Sequence, residues 1–334
     1  MTSVFRHRAL LLGALSLTAC AEEPITLALT EPIRISSTQF QAQFKEGALP
    51  GSPPLTADEI NGGQKPKTPN VSGINLGNAS IPPREPSRIF SGLASPDSVA
   101  IGVRLADLGS GYWVLPTGGA DAVNDGALEW KFTAAFGGDW QAGKHQMLFA
   151  GIDAQGRAGT QLGLTLCLEP EIPDNGNACD PTQPPPALVV SLGWDAAVDL
   201  DLRVITPTGK VVDSKHPTTA EKDDSGKLDP TAEGVGAIDH DSFANCAADG
   251  IRRENLVFQG QPAAGTYLVY ANLYDACGES GAGFDVSLHV ATTTEDGDTE
   301  QLTETFREAG LASAINANGG AKLGTFVTSF DVAP

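Results

Sequence analysis

The chain of 334 residues carries 41 Asp and Glu against 21 Lys and Arg, which gives a formal net charge of −20. This charge argues against nucleic acid as a partner, because phosphate binding needs clustered Lys and Arg. It argues equally against an electrostatic contact with an anionic membrane surface. The acidity is compatible with a divalent cation or a basic partner, and also with an ordinary acidic protein surface.

Residues 1–19 have the pattern of a secretory signal peptide. Two arginines precede an apolar run over residues 9–17 that is too short for a permanent transmembrane helix. Leu17-Thr18-Ala19-Cys20 resembles a bacterial lipobox, in which the cysteine thiol is acylated and becomes the new N-terminus. The resemblance implies lipidation of Cys20, and a residue other than Asp at position 21 implies the outer membrane. The alternative is an ordinary signal peptide that happens to contain a cysteine.

Residues 20–86 are predicted to be a disordered, proline-rich tether that follows the lipidated cysteine. Ten prolines lie in this stretch among Gly and small polar residues, and only Ile33 and Ile35 suggest an apolar period. Such a segment buries too little surface to offset its loss of chain entropy. We expect it to hold the folded part clear of the membrane, on the periplasmic side or at the cell surface.

Residues 87–168 are predicted to form a first β-sandwich. Apolar and polar residues alternate over 99–103, 128–132, 146–152 and 162–166, and clusters of Gly and Asp separate these runs. The residues at 142–145 (Ala-Gly-Lys-His) and 152–157 (Ile-Asp-Ala-Gln-Gly-Arg) resemble those of a bacterial immunoglobulin-like module. The resemblance implies a sandwich and no particular ligand.

Residues 169–187 are predicted to be a proline-rich linker, and the cysteines around it are expected to form disulfides. Four cysteines remain once Cys20 is lipidated, namely Cys167, Cys179, Cys246 and Cys277. An even number in an oxidising compartment indicates disulfides, with three possible pairings. We favour Cys167–Cys179 and Cys246–Cys277, because each pair falls within one structural unit.

Residues 188–334 are predicted to form a second β-sandwich. Strand patterns occur at 188–192, 200–204, 256–258, 267–270, 284–290 and 325–330. The stretch from Thr303 to Ala314 is predicted to be one short helix. The expected fold is therefore all-β, with two tandem immunoglobulin-like or jelly-roll-like sandwiches after the tether.

The second sandwich carries a sharper family resemblance. Its motifs are Leu192-Gly193-Trp194-Asp195, Val198-Asp199-Leu200-Asp201-Leu202-Arg203-Val204, Pro207-Thr208-Gly209, Glu254-Asn255-Leu256 and Pro262-Ala263-Ala264-Gly265-Thr266-Tyr267-Leu268-Val269. Their order is similar to the YfaP-like domain of secreted and surface proteins of Gram-negative bacteria. This resemblance implies a fold and an envelope location, and no established reaction. Arg203 stands where the family often has His, and only some members carry a disulfide like Cys246–Cys277.

Asp199 and Asp201 are the strongest candidates for a functional site. Two residues apart on a strand, they point to the same face of the sheet. A structural salt bridge to Arg203, or to Arg252 or Arg253, is one explanation of this pair. The other is Ca²⁺, which takes six to eight oxygen ligands. Further candidate ligands are Asp239, Asp241, Asn245 and Glu254.

No catalytic set is visible in the sequence. Neither G-x-S-x-G nor H-E-x-x-H occurs, and paired cysteines are not nucleophiles. We therefore expect a non-enzymatic adhesion, scaffold or binding module of the envelope, held at the membrane by its lipid, with an unknown envelope protein or glycan as partner. One alternative is carbohydrate binding by Tyr112, Trp113 and Trp130, although a Trp in a sandwich is more often core. A remote alternative is a hydrolase built on the carboxylates of Asp199, Asp201, Asp239 and Asp241.

Overall fold

The computed structural model describes residues 31–36, 41–124, 126–137, 140–222, 224–229, 232, 234–294 and 300–334. In this part of the chain the protein is almost entirely β, and its strands form four sheets. One apolar core lies between each of two pairs of sheets, so the predicted all-β sandwich fold is confirmed. No helix among the described residues has the length and apolar character needed to cross a membrane. The predicted signal peptide and Cys20 lie outside the described residues.

The first sandwich is built from ten strands. These are β1 (Ile33–Ser36), β2 (Gln43–Glu46), β3 (Val71–Asn75), β4 (Ser80–Ile81), β5 (Arg88–Ala94), β6 (Ala100–Leu105), β7 (Gly111–Pro116), β8 (Leu128–Phe136), β9 (Gly143–Ile152) and β10 (Leu162–Leu168). One sheet has the order β1-β8-β5-β3, and the other has the order β2-β7-β6-β9-β10-β4. All neighbours are antiparallel except β10 and β4, which are parallel.

Alternation along β8 builds the aromatic centre of the first core. Trp130 and Phe132 are both buried, and their rings stack with centroids 5.7 Å apart. Phe90 from β5 stacks on Phe132 at 5.2 Å, so both strands of this sheet supply rings to the core. Each buried aromatic side chain stabilises the fold by roughly 2–3 kcal/mol. Gly92 is required beside them, because a Cβ there would lie 2.5 Å from the Trp130 ring.

The prediction of a disordered tether over residues 20–86 is wrong for the part of it that the structure describes. Strands β1 to β4 and a short helix, α1 (Ala57–Asn61), lie within it. Ile33 and Ile81 are buried at 2% and 0% exposure, since β1 and β4 lie on the edges of sheets formed by later strands. Short strands that add to an existing sheet obtain hydrogen bonds and apolar contacts from it, so a long apolar period of their own is unnecessary. The capping box of Thr56 and Glu59 starts α1.

The second sandwich is built from nine strands. These are β11 (Leu188–Trp194), β12 (Asp199–Ile205), β13 (Val211–Val212), β14 (Gly236–Ile238), β15 (Arg253–Phe258), β16 (Gly265–Asp275), β17 (Gly281–Thr293), β18 (Glu300–Ser313) and β19 (Thr325–Val332). One sheet has the order β14-β15-β11-β17-β18, and the other has the order β13-β12-β16-β19. Leu200 and Leu202 on β12 enter the core between these sheets.

The predicted helix from Thr303 to Ala314 is wrong, because most of this stretch is the edge strand β18. It pairs with β17 from Glu300 to Ser313, opposite Thr293 to Gly281. Glu, Arg, Ala and Leu favour helix locally, but a long antiparallel ladder with β17 overrides that preference. Most side chains of β18 are exposed, so the strand is held chiefly by its backbone pairing.

The segment between the sandwiches contacts both of them. Glu171 accepts from Arg84 Nη2 at 2.9 Å on the first-sandwich side and from Arg253 Nη2 at 3.0 Å on β15. Asn177 Nδ2 donates to the carbonyl oxygen of Glu300 at 3.0 Å. The Cys167–Cys179 disulfide ties the segment to the end of β10, and Cys246–Cys277 forms within the second sandwich, so both predicted pairings are confirmed. The division into an 87–168 domain, a 169–187 linker and a 188–334 domain stays a prediction about folding units.

Candidate functional site

The site is organised by the outer face of β12. Period-two alternation sends Leu200 and Leu202 into the core and leaves Asp199, Asp201 and Arg203 on the opposite face, as predicted. These acidic side chains are nevertheless only 3% and 2% exposed, because loops cover this face of the sheet. A strand whose two faces are both covered therefore carries two adjacent buried carboxylates.

The covering loop that follows β14 brings a third carboxylate to this face. Carboxylate oxygens of Asp199, Asp201 and Asp241 all lie within 4.8 Å of one another, and we call these three side chains the acidic cluster. The backbone N–H of Asn245 donates to Asp199 Oδ2 at 2.7 Å. The Cys246–Cys277 disulfide fastens this loop to the turn after β16.

The acidic cluster opens into a small cavity of about 100 Å³. Its lining consists of Asp199, Asp201, Ser214, Lys215, Asp241, Ala244, Asn245 and Tyr274. The ammonium group of Lys215 lies over the Tyr274 ring, 4.9 Å from its centroid. Ser214 and Tyr274 were not predicted as site residues, because no motif distinguishes them and only the folded loops bring them here.

The predicted salt bridge between Asp201 and Arg203 exists, but it is long. Arg203 Nη2 lies 3.9 Å from Asp201 Oδ2, beyond hydrogen-bond distance. Arg203 instead donates to the carbonyl oxygens of Lys322 and Gly320, and its Nε faces Asp213 Oδ2 at 3.3 Å. Ser214 donates to Asp201 Oδ1 at 3.1 Å, whereas the buried Oδ2 accepts no hydrogen bond from any described residue.

The carboxyl groups of this region hold their protons more tightly than usual. Burial, reinforced by the neighbouring carboxylates, raises the pKa of Asp199 and of Asp201 to about 6. Burial also raises the pKa of Asp241, and it raises the pKa of Glu254 well above its ordinary range. The shared cause is that removing carboxylates from water disfavours their charged form.

Two predicted ligands are occupied elsewhere. Asp239 accepts from the backbone N–H and the Nδ2 of Asn255, at 2.9 and 2.8 Å, and is not part of the acidic cluster. Glu254 is fully buried and accepts from the backbone N–H groups of Leu202 and Ser242, at 2.7 and 3.2 Å. The structure therefore does not assemble the four carboxylates of the predicted hydrolase site.

The two arginines predicted as alternative partners of the aspartates lie elsewhere. Arg253 donates to Ser191 Oγ at 2.8 Å, in addition to its contact with Glu171. Arg252 Nη1 donates to the carbonyl oxygen of Asp195 at 2.6 Å. The prediction that either of them balances Asp199 and Asp201 is therefore wrong, and of the three candidate arginines Arg203 is the one on their face.

A second and larger concavity lies at the junction of the two sandwiches. This junction cavity has a volume of about 620 Å³ and is lined by residues from 80–84, 169–176, 239–240 and 250–255. Its walls contain prolines, arginines, carboxylates and amides. The Glu171 ion pairs with Arg84 and Arg253 connect its two sides.

The aromatic side chains proposed for sugar stacking do not form a common surface. Trp130 is only 2% exposed and belongs to the first core. Trp113 donates its Nε1–H to the carbonyl oxygen of Ile33 at 2.9 Å and packs edge-on against Phe44. Tyr112 neighbours Trp113 on β7, so these two side chains point to opposite faces of the sheet. The carbohydrate-binding alternative therefore loses the platform on which it was based.

The chain has low similarity to known proteins. No family model matches the chain, and no curated protein matches it. Among solved structures, the Streptococcus agalactiae AgI/II polypeptide BspA C-terminal domain is similar at 8% identity and a TM-score of 0.21, covering 70% of this chain and 95% of that one. A chain named BspA_C_WT is similar at 9% identity and the same TM-score, covering 70% of this chain and 96% of that one. At these scores the likenesses carry no argument about function.

Proposed function

We propose that this chain is a non-enzymatic binding module of the bacterial envelope, anchored through Cys20, whose partner docks in the junction cavity. The observation that supports the proposal is a cavity of about 620 Å³ lined by both sandwiches and by the segment between them. This volume lies within the range of ordinary ligand sites, which concentrate where domains meet. The docked group would be an exposed segment of an envelope protein or glycan.

The lining of the junction cavity suits a partner with mixed polar and apolar character. Pro82, Pro83 and Pro170 offer rigid apolar surface at little entropic cost, and Ile251 adds an aliphatic side chain that is 43% exposed. Asn255, only 4% exposed, keeps its Oδ1 without a donor among the described residues. A partner that donates a hydrogen bond to this oxygen would satisfy a buried acceptor.

A photo-crosslinking experiment in the intact envelope tests this proposal. A photo-reactive amino acid replaces Ile251 in the full lipidated chain, and Ile315, which is 90% exposed and outside the cavity lining, is the matched control position. We expect a discrete adduct from position 251 and none from position 315. The same adduct from both positions, or none from position 251, would overturn the proposal.

A second variant tests whether the geometry of the junction matters. Glu171→Gln removes the charge that holds Arg84 and Arg253, each at about 3 Å. We expect it to reduce the yield of the adduct from position 251. Glu304→Gln is the control, because Glu304 pairs with Arg307 on β18 and does not line the cavity. An equal yield in both variants would show that the two sandwiches need not be held together for binding.

A further inference from the structure

The acidic cluster holds one oxygen atom whose environment is incomplete. Asp201 is 2% exposed, and its Oδ2 accepts no hydrogen bond from the described residues. A buried carboxylate oxygen that accepts no hydrogen bond is costly, so native proteins rarely leave one in that state. The same side chain places a carboxylate oxygen within 4.8 Å of carboxylate oxygens of Asp199 and Asp241. The shared centre of the three carboxylates is therefore where a positive charge is needed.

The neighbouring basic side chains do not supply that charge. Arg203 directs its donors to two carbonyl oxygens and faces Asp213 more closely than Asp201, at 3.3 against 3.9 Å. Lys215 lines the same cavity, but its ammonium group lies over the Tyr274 ring, 4.9 Å from the centroid. A single arginine at the edge of the group leaves most of the charge of three carboxylates uncompensated.

We propose that Asp199, Asp201 and Asp241 bind one Ca²⁺ on the outer face of β12. All three side chains offer oxygen, the donor that hard divalent cations require. Ser214 and Asn245 line the same cavity, whose volume of about 100 Å³ leaves room for water to complete the shell. Ca²⁺ accepts such an irregular set, whereas Mg²⁺ demands near-ideal octahedral geometry and sheds its own water reluctantly.

The site would fasten a loop to a strand. Asp199 and Asp201 lie on β12, whereas Asp241 lies beyond the end of β14 in the loop that also supplies Asn245. The same loop contributes Asp239 and His240 to the wall of the junction cavity. Bound Ca²⁺ would therefore stiffen one wall of that cavity. The metal site itself does not depend on whether a partner docks there, and its test requires no partner.

The first test is thermal unfolding and calorimetric titration of the full chain, disulfides intact, with EGTA, Ca²⁺ or Mg²⁺. We expect millimolar Ca²⁺ to raise the unfolding temperature by roughly 5 °C over EGTA, because the ion binds only the folded state. Asp241→Asn, at an exposed position, and Asp201→Asn should both abolish the rise. Asp239→Asn is the matched control from the same loop and should retain it. No response of the wild type, an undiminished response of Asp241→Asn, or an equal response to Mg²⁺ would each overturn the proposal.

The second test places the ion beside Tyr274. Tb³⁺ replaces Ca²⁺ at oxygen sites, and its emission is sensitised by a nearby aromatic ring. Tyr274 lines the cavity of the acidic cluster, so tyrosine-sensitised emission should appear on Tb³⁺ addition and disappear when Ca²⁺ competes. Tyr274→Phe should lose most of this emission and still show the Ca²⁺-dependent rise in unfolding temperature. Unchanged emission from Tyr274→Phe would contradict this location of the site.

Discussion

Arg203 Nη2 and Asp201 Oδ2 lie 3.9 Å apart, so these two buried side chains attract each other without sharing a hydrogen bond. The guanidinium is held by Asp213 and by carbonyl oxygens, and it is therefore anchored independently of Asp201. The two explanations that the sequence left open, a structural salt bridge and a cation site, are consequently compatible. Arg203 balances part of the acidic cluster and leaves one carboxylate oxygen for another partner.

Replacing Asp201 should separate these roles. In EGTA, Asp201→Asn should stabilise the chain by about 1–3 kcal/mol at pH 7.5, because it removes a buried carboxylate whose pKa is raised to about 6. Asp213→Asn is the opposite case, since it leaves the buried guanidinium of Arg203 without its nearest anion. We expect it to destabilise the chain by about 3 kcal/mol. Urea unfolding of both variants in EGTA measures the two signs, and a loss of stability in both would contradict the argument.

The two disulfides should differ in their effect on calcium binding. Cys246→Ser with Cys277→Ser removes a link across 31 residues, which should cost about 3–4 kcal/mol of stability. It should also weaken Ca²⁺ binding, because this link fastens the loop that carries Asp241 and Asn245. The control pair, Cys167→Ser with Cys179→Ser, lies far from the acidic cluster in sequence and should leave the Ca²⁺ titration unchanged. Equal Ca²⁺ affinities of the two double variants would show that the loop carrying Asp241 and Asn245 binds Ca²⁺ without the Cys246–Cys277 disulfide.

Membrane anchoring remains a prediction from the first twenty residues. Cys20→Ser should move the chain from the membrane fraction to the soluble fraction, because acyl chains hold a protein by burying methylenes at ~0.8 kcal/mol each. Ala21→Asp is the matched control: it keeps the thiol and, from the lipobox resemblance, should redirect the chain to the inner membrane. Fractionation of envelopes on a density gradient measures both outcomes. Persistence of Cys20→Ser in the membrane pellet would contradict the anchor.

The positions of many strands could be predicted, because apolar and polar residues alternate along them. The runs at 128–132 and 188–192 become β8 and β11, and the two disulfide pairings followed from assigning cysteines to units. Most strands within residues 31–86 could not be predicted, although Ile33 and Ile35 of β1 show an apolar period. They are short, and their partners lie far away in sequence: Ser80 pairs with Cys167 in the parallel ladder of β4 and β10. The local sequence of a short strand does not indicate which distant strand it pairs with.

Alternation along a strand also predicted part of the candidate site. Residues two apart on a strand share a face, so the pair of Asp199 and Asp201 could be predicted from the sequence once residues 199–205 were assigned to a strand. Asp239 and Asp241 lie just past the end of β14, where alternation no longer applies, and the loop sends them to different partners. Glu254 hydrogen-bonds the backbone of Leu202 and Ser242, which only the packing of β15 against β12 determines.

His289 on β17 gives the second sandwich a dependence on pH that is separate from the acidic cluster. Its side chain is 7% exposed, and its Nε2 lies 2.9 Å from Ser287 Oγ. Burial lowers its pKa from the ordinary value of 6.5, an effect that Arg307 and Arg253 reinforce and that Glu304 and Asp285 oppose. The unfolded chain therefore binds this proton first as the pH falls. The contribution of neutral His289 to the free energy of unfolding is fully present above pH 6.5. It is lost progressively as the pH falls below 6.5 towards the lowered pKa of the folded state.

The expected loss is at most about 1.4 kcal/mol for each pH unit below the unfolded value. His289→Gln keeps a polar group beside Ser287 but does not titrate, so its stability should fall less between pH 7 and pH 5.5 than that of the wild type. Urea unfolding of the full chain in EGTA at both pH values measures the difference between the wild type and His289→Gln, which share every other titratable group. Parallel slopes for the wild type and His289→Gln would show that His289 does not contribute to the acid sensitivity of the fold.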